Sequence, residues 1–389
     1  MNNNKTEFLI NKNTDNTIFT KKTNYQMILS NKKQNIFSEH LLKWHIHNNN
    51  RIMPWTKEKD TYKIWISEII LQQTRVEQGV GYYKNFIKKF PTLKSLALAN
   101  EESVFKHWEG LGYYSRCKNL INTAKKIFYE LNGEFPKDYE GLLALKGIGP
   151  YTAAAISSFA YGLPYAVVDG NVFRVLSRFF GQNIPIDSTG GKKFFTSLAN
   201  NLIDKNDPAS FNQAIMDFGA TVCKPQIPKC QHCALQNDCI AYKNGVVNKL
   251  PIKEKVLVKK KRYFTYFVFT IQNKVLVSKR VEKDIWQNLY EFYLFESMKK
   301  PVWNGIELGE WINGQMGILK YEVKHISHIF TQQLTHQNLE GQFITVTLQT
   351  IPETLKCFKK IGISNLHKLA FPKFINKYLE AGFIHDFIT

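Results

Sequence analysis

Four cysteines fall within seventeen positions, Cys223, Cys230, Cys233 and Cys239, spaced C-x6-C-x2-C-x5-C, while Cys117 and Cys357 stand apart. A tight cluster in a large basic chain points to metal rather than to the spread pairs of a disulfide framework. Zinc sites usually pair cysteines as two short hooks across a longer loop. One compact loop with uneven gaps suits the corners of a [4Fe–4S] cube instead. Zinc and plainly packed thiols are the alternative readings. Lys224, Lys229 and Lys243 flank the loop, which fits a phosphate-facing role.

Two carboxylates come next. At about 100° per residue, Glu68 falls between Ile64 and Trp65 on a helical wheel, with Leu71 close by. A carboxylate inside an apolar arc is unusual, and partial burial would raise its pKa towards that of a proton donor near neutrality. A rim glutamate reaching solvent is the plainer reading. Gln72 and Gln73 are expected on the same helix, where they could fill the hole left by a displaced base. Asp169, in VVDGNVFRVLSR (167–178), precedes a helix and alone reads as an N-cap. If it enters the same cleft as Glu68, the two make the pair that glycosidic cleavage commonly employs. One carboxyl protonates the leaving group; the other stabilises or attacks the cationic sugar.

A fourth signal is LLALKGIGPYTAAAIS (142–157), where two helices meet at Gly147-Ile148-Gly149. Glycine permits the tight turn and close backbone approach, and the next helix N-terminus is an anion site. Such a helix–hairpin–helix holds a nucleic-acid phosphate without reading sequence. An ordinary interhelical turn is the bland alternative.

These residues need elements to hold them. Three- and four-residue apolar steps predict helices across 39–46, 62–73, 102–111, 118–131, 152–162 and 171–180. Beyond a basic linker (243–262) the period changes to two. There 263–271 and 274–280, parted by Gln272-Asn273, predict a β-hairpin, 341–350 another strand, and 374–383 a terminal helix. Residues 1–35 read as a basic, Asn- and Lys-rich disordered tail. The 389 residues suggest two or three domains, and 44% hydrophobic with 22% charged residues excludes wholesale disorder. A net charge of +20 attracts polyanions, nucleic acid first. No apolar run spans a bilayer and no secretory signal opens the chain, so a soluble intracellular protein is expected.

Taken together, PW (54–55), SEIILQQTRVEQ (67–78), GLGYYSR (110–116), LKGIGPYTA (145–153), VVDGNVFRV (167–175), FNQAIMDFGATVC (211–223) and the cysteine loop resemble the A/G-specific adenine DNA glycosylases of the helix–hairpin–helix superfamily. The resemblance runs from about Trp44 to Tyr242 and continues weakly to about Leu379. It implies a mainly α fold: an all-helical glycosylase domain with an Fe–S cluster loop (36–242), then a smaller α+β Nudix-like domain (263–389). It implies excision of adenine from A:8-oxoguanine or A:G pairs in double-stranded DNA, the base flipped into a pocket. Glu68 would protonate adenine N7 and Asp169 would stabilise the sugar cation, supported by Tyr151 and Asn171. Gln72, Gln73, Leu111, Tyr113, Gly147 and Gly149 would contact DNA. Related lyases carry Lys where Tyr151 stands, so monofunctional hydrolysis is implied. The loop HISH (325–328) would read the lesion through Ser327 and His328, although Ile326 replaces the family's usual aromatic residue. Cys223, Cys230, Cys233 and Cys239 would ligate a structural [4Fe–4S] cluster. The expected protein is a monomer, cytoplasmic, away from membrane, and at the bacterial nucleoid through DNA. The alternatives are a thymine or oxidised-pyrimidine glycosylase, or an inactive damage-binding protein.

Overall fold

The computed structural model describes residues 31–255 and 258–382. In chain order the helices are α1 (Asn31–Asn48), α2 (Thr61–Leu71), α3 (Val76–Lys89), α4 (Leu93–Ala97), α5 (Glu101–Trp108), α6 (Tyr114–Glu130), α7 (Tyr139–Leu143), α8 (Pro150–Tyr161), α9 (Gly170–Phe179), α10 (Thr189–Leu202), α11 (Pro208–Thr221), α12 (Ile240–Lys243), α13 (Gly305–Met316) and α14 (Lys373–Glu380). The strands are β1 (Lys260–Ile271), β2 (Lys274–Lys279), β3 (Tyr290–Glu291), β4 (Tyr293–Ser297), β5 (Tyr321–Ile326), β6 (Phe330–Gln333), β7 (Gln337–Leu348) and β8 (Lys359–Gly362). Residues 1–30 of the expected tail lie outside the described residues, and 31–35 belong to α1 rather than to a tail.

The described chain groups into two units that cut across the expected 36–242 domain. One joins the residues up to Lys59 with Pro150–Lys255; the other joins Asp60–Gly149 to the residues beyond 257.

In the first unit α1 presents Phe37, Leu41 and Trp44, a four-then-three spacing that makes one apolar stripe. Phe37 meets Phe179 at the end of α9, ring centroids 4.9 Å apart, and Trp44 meets Phe218 of α11 edge-on at 4.9 Å. Each such side chain, fully buried, contributes roughly 1.5–3 kcal/mol. Pro208 opens α11, where its missing N–H costs nothing, and Asp207 accepts from Ser210 N. The expected linker is anchored along part of its length: Arg178 Nε donates to Leu250 O at 3.0 Å, and Asp187 accepts from the amides of Glu254 and Lys255. Residues 256–257 of that linker lie outside the described residues, and β1 begins at Lys260, three residues ahead of expectation.

In the second unit α2 begins at Asp60, whose carboxylate accepts from Tyr62 N and Lys63 N. Glu101 at the start of α5 takes Lys118 and Lys125 of α6, each at 2.8 Å, and these ammonium groups pull its carboxyl down to about 2. The sheet runs β3-β2-β1-β7-β5, with β4 on β1, β6 on β7 and β8 on β2. Gln272 and Asn273 both take left-handed backbone (φ 48° and 58°), which a two-residue hairpin turn demands. At its centre β1 and β7 pair in parallel, from Lys260 with Gln337 to Thr270 with Thr347. Alternation along β1 sends Phe267 to α13, stacked on Trp311 at 4.4 Å, and Phe264 to α14, edge-on to Phe374. α14 ends at Glu380, and 383–389 lie outside the described residues. The helices of this unit grip the sheet's periphery. Lys106 Nζ donates to Leu369 O at 2.9 Å, Glu109 accepts from Phe371 N at 2.7 Å, and Tyr290 OH donates to Glu102 at 2.5 Å.

Candidate active site

Glu68 is 6% exposed. Its helix is buried on every side from Ile64 to Ile70, so the single apolar arc of the helical wheel understates the enclosure. The helix stops at Leu71, and Gln72 and Gln73 therefore do not continue it as the periodicity suggests. Arg116 is the reason. Its Nη1 donates to the carbonyls of Ile69 (2.7 Å), Ile70 (3.1 Å) and Gln72 (2.5 Å), taking acceptors that another turn would use. Gln73 then adopts a left-handed φ of 57°.

Arg116 also shapes the neighbouring loop. Its Nη2 donates to Gly112 O at 3.2 Å, and its guanidinium lies 5.3 Å from the centre of the Tyr113 ring. Gly110 (φ 85°) and Gly112 (φ 81°) flank a buried Leu111, and Tyr113 itself is left-handed at φ 48°, a strained state for an aromatic residue. The Tyr113 ring is 41% exposed, and its hydroxyl pairs with Thr335 Oγ1 at the β6–β7 turn. This loop, Lys118, Lys146 and Lys373 border a cleft of about 660 Å³ whose far wall is the turns 284–288 and 332–337. Ser327 stands elsewhere and is 2% exposed. Its hydroxyl donates to His328 O and accepts from Phe343 N, so the expected lesion-reading hydroxyl is committed within the sheet. His328 is exposed and stacks on Phe330 at 4.3 Å.

In the hairpin Gly147 has φ 83°, and a Cβ there would stand 2.7 Å from the Cβ of Asn119. At Gly149 an added Cβ would meet nothing within 4 Å, and Pro150 then opens α8. Only the first glycine is required by conformation.

Asp169 caps α9, its Oδ1 accepting from Asn171 N and Val172 N at 2.8 Å each, as its place in the sequence suggests. Its second oxygen accepts from Asn171 Nδ2 at 2.7 Å. Burial pushes this carboxyl up, against those hydrogen bonds and the charge of Arg174, which pull it down. Asn171 is itself fixed: Arg174 Nη2 donates to its Oδ1 at 2.8 Å, and Gly219 lies so close that a Cβ there would be 2.7 Å from Asn171 Cβ. Tyr151, at the start of α8, directs its hydroxyl at Met216 Sδ, 3.9 Å away.

Two further arginines went unremarked in the sequence. Arg174 Nε donates to Cys223 O at 2.7 Å, and Arg178 Nη1 reaches Lys224 O at 2.7 Å and Cys223 Sγ at 3.5 Å. Both lie among the buried residues of α9, and an arginine repeated at i, i+4 within an apolar stripe is the signal that could have found them. Cys223, Cys230, Cys233 and Cys239 line one small cavity of about 30 Å³, turned by the 3₁₀ segments Cys230–His232 and Gln236–Asp238. Among the described residues no three His, Cys, Asp or Glu converge as one bound ion would require. Nor is any described helix long and apolar enough to cross a membrane.

Residues 66–187 match the family model described as HhH-GPD superfamily base excision DNA repair protein, and residues 265–381 match a NUDIX domain model. An adenine DNA glycosylase of Buchnera aphidicola from Schizaphis graminum is 35% identical over 351 residues, 89% of this chain and 98% of the relative. The human adenine DNA glycosylase is 42% identical over 214 residues, 53% of this chain and 39% of the relative. Among solved structures, a thermostable thymine-DNA glycosylase aligns with a TM-score of 0.52 and 29% identity, over 55% of this chain and 99% of that one.

Proposed function

The chain belongs to the adenine DNA glycosylase family of base-excision repair enzymes, and from that premise we propose that it releases adenine paired with 8-oxoguanine by monofunctional hydrolysis. Glu68 is the general acid: it gives its proton to N7, so that the C1′–N9 bond breaks with its electron pair leaving on a neutral base. Asp169 is the carboxylate that faces the cationic sugar. A poorly hydrated anion stabilises a neighbouring positive charge more strongly than one in water, and burial puts Asp169 in that condition. Asn171 holds the second Asp169 oxygen. Water then adds its oxygen at C1′ and gives its proton to the carboxylate left on Glu68, which restores the acid. Tyr151 offers no amine, so no Schiff base forms and strand cleavage does not follow. The observation that carries this reading is the buried Glu68 on a helix enclosed on every side.

Gln72, Gln73, Leu111 and Tyr113 are the proposed contacts in the opened duplex, and Gly147 and Gly149 those to the phosphate backbone. The opposing 8-oxoguanine falls to the Nudix-like part, with His328 exposed for that contact. Ser327 would serve only after its present hydrogen bonds exchange. Cys223, Cys230, Cys233 and Cys239 are the proposed ligands of a [4Fe–4S] cluster, supported by their shared cavity and uneven spacing. When bound, the cluster would supply a covalent tie between the four cysteines rather than hydrolytic chemistry.

In single-turnover assays on A:8-oxoguanine, A:G, T:G and oxidised-pyrimidine duplexes, the expected result is fastest release from A:8-oxoguanine. Glu68→Gln should lower that rate by about 10²–10⁴-fold while duplex affinity persists. Undiminished release by this variant would remove Glu68 from its role.

A further inference from the structure

Arg116 is a buried cation whose hydrogen bonds all go to uncharged carbonyls, those of Ile69, Ile70, Gln72 and Gly112. No carboxylate pairs with it among the described residues. Desolvation holds its guanidinium down at about 10. Its Nε–H is buried without an acceptor, and so is the indole Nε1–H of Trp65. Both residues line a cavity of about 70 Å³, together with Gln72, Ser115, Asn119 and Lys146. The cavity has room for more than one water-sized group. Buried donors left unmatched are costly, and a buried charge without a partner more so.

Two stranded N–H donors, one of them on the guanidinium itself, with the Lys146 side chain at the same cavity, lack one thing, a negative acceptor. We propose that this cavity is an anion site, taking a phosphate oxygen supplied by free phosphate or by a DNA phosphodiester. The occupant joins the indole donor to the guanidinium, and so stabilises the arginine that ends α2 just beyond Glu68 and shapes the Tyr113 loop. Such a site does not depend on how the base is excised.

The test uses full-length protein carrying 5-fluorotryptophan, with the Trp65 fluorine resonance identified by its loss in Trp65→Phe. Potassium phosphate is titrated at constant ionic strength, and undamaged duplex in a parallel series. A saturable shift of the Trp65 resonance with phosphate, with phosphate binding about tenfold weaker in Trp65→Phe by calorimetry, supports the site and a free-ion source. A shift with duplex alone, with duplex binding about tenfold weaker in the variant, supports the site and a phosphodiester source. A bromide-soaked crystal of the unaltered protein adds a measurement independent of the variant's folding: anomalous density between Trp65 and Arg116 supports the site. A Trp65 resonance unmoved by both probes, with ordered water alone in that crystal's cavity, overturns it.

Discussion

Asp169 does two jobs with one carboxylate. It ties down the first amides of α9, and it is the proposed partner of the sugar cation. Burial raises its pKa in the folded state, so the native protein binds that proton more tightly than the unfolded chain. The associated stability is fully present below the unfolded value near 3.9 and is lost as pH rises through the folded value. At neutral pH the ionised side chain is thus an unfavourable element of the fold. Asp169→Asn retains a good N-cap and removes the charge. Its thermal midpoint at pH 7 is expected to equal or exceed that of the parent, while base release falls by about a hundredfold or more. Calorimetry with single-turnover kinetics checks both halves, and a midpoint several degrees lower would contradict the account. The cap was legible from Asp169 standing before an apolar helix. The stop after Leu71 was not, because the guanidinium that imposes it comes from Arg116, far along the chain.

The elements around the hairpin separate two reasons for glycine. Gly147 needs its left-handed backbone, and a side chain there collides with Asn119; Gly149 has neither constraint. Gly147→Ala is therefore expected to cost about 1–3 kcal/mol of stability. Gly149→Ala should leave the denaturation midpoint unchanged yet weaken duplex binding, if its backbone lies against a phosphate. Urea titration and duplex titration of the pair read these out, and unaltered binding by Gly149→Ala would take that residue out of the interface. Helices of the amino-terminal half and the β1–β2 hairpin were legible because local periodicity and turn chemistry dictate them. The parallel pairing of β1 with β7 was not, since partners more than seventy positions apart leave no local trace.

At the scale of the whole chain, the change of hydrophobic period near residue 260 falls where β1 begins, and it says nothing of which helices meet the sheet. Residues 60–149 share a unit with the sheet, joined through Glu102, Lys106 and Glu109. A chain ending at residue 255 is expected to lose amide-exchange protection in α5 and α6; unchanged protection there would show the sheet to be dispensable to them. Period-counting could not see this, because polar residues on an outward helix face look the same whether they meet water or another element. The same interleaving governs the order of assembly. α1 is made early, yet the rings its Phe37 and Trp44 meet belong to α9 and α11. At about 5–20 residues per second, those partners emerge from the ribosome on the order of ten seconds later. Until then the stripe of Phe37, Leu41 and Trp44 lacks those ring partners, and it is an apolar surface that a chaperone could shelter.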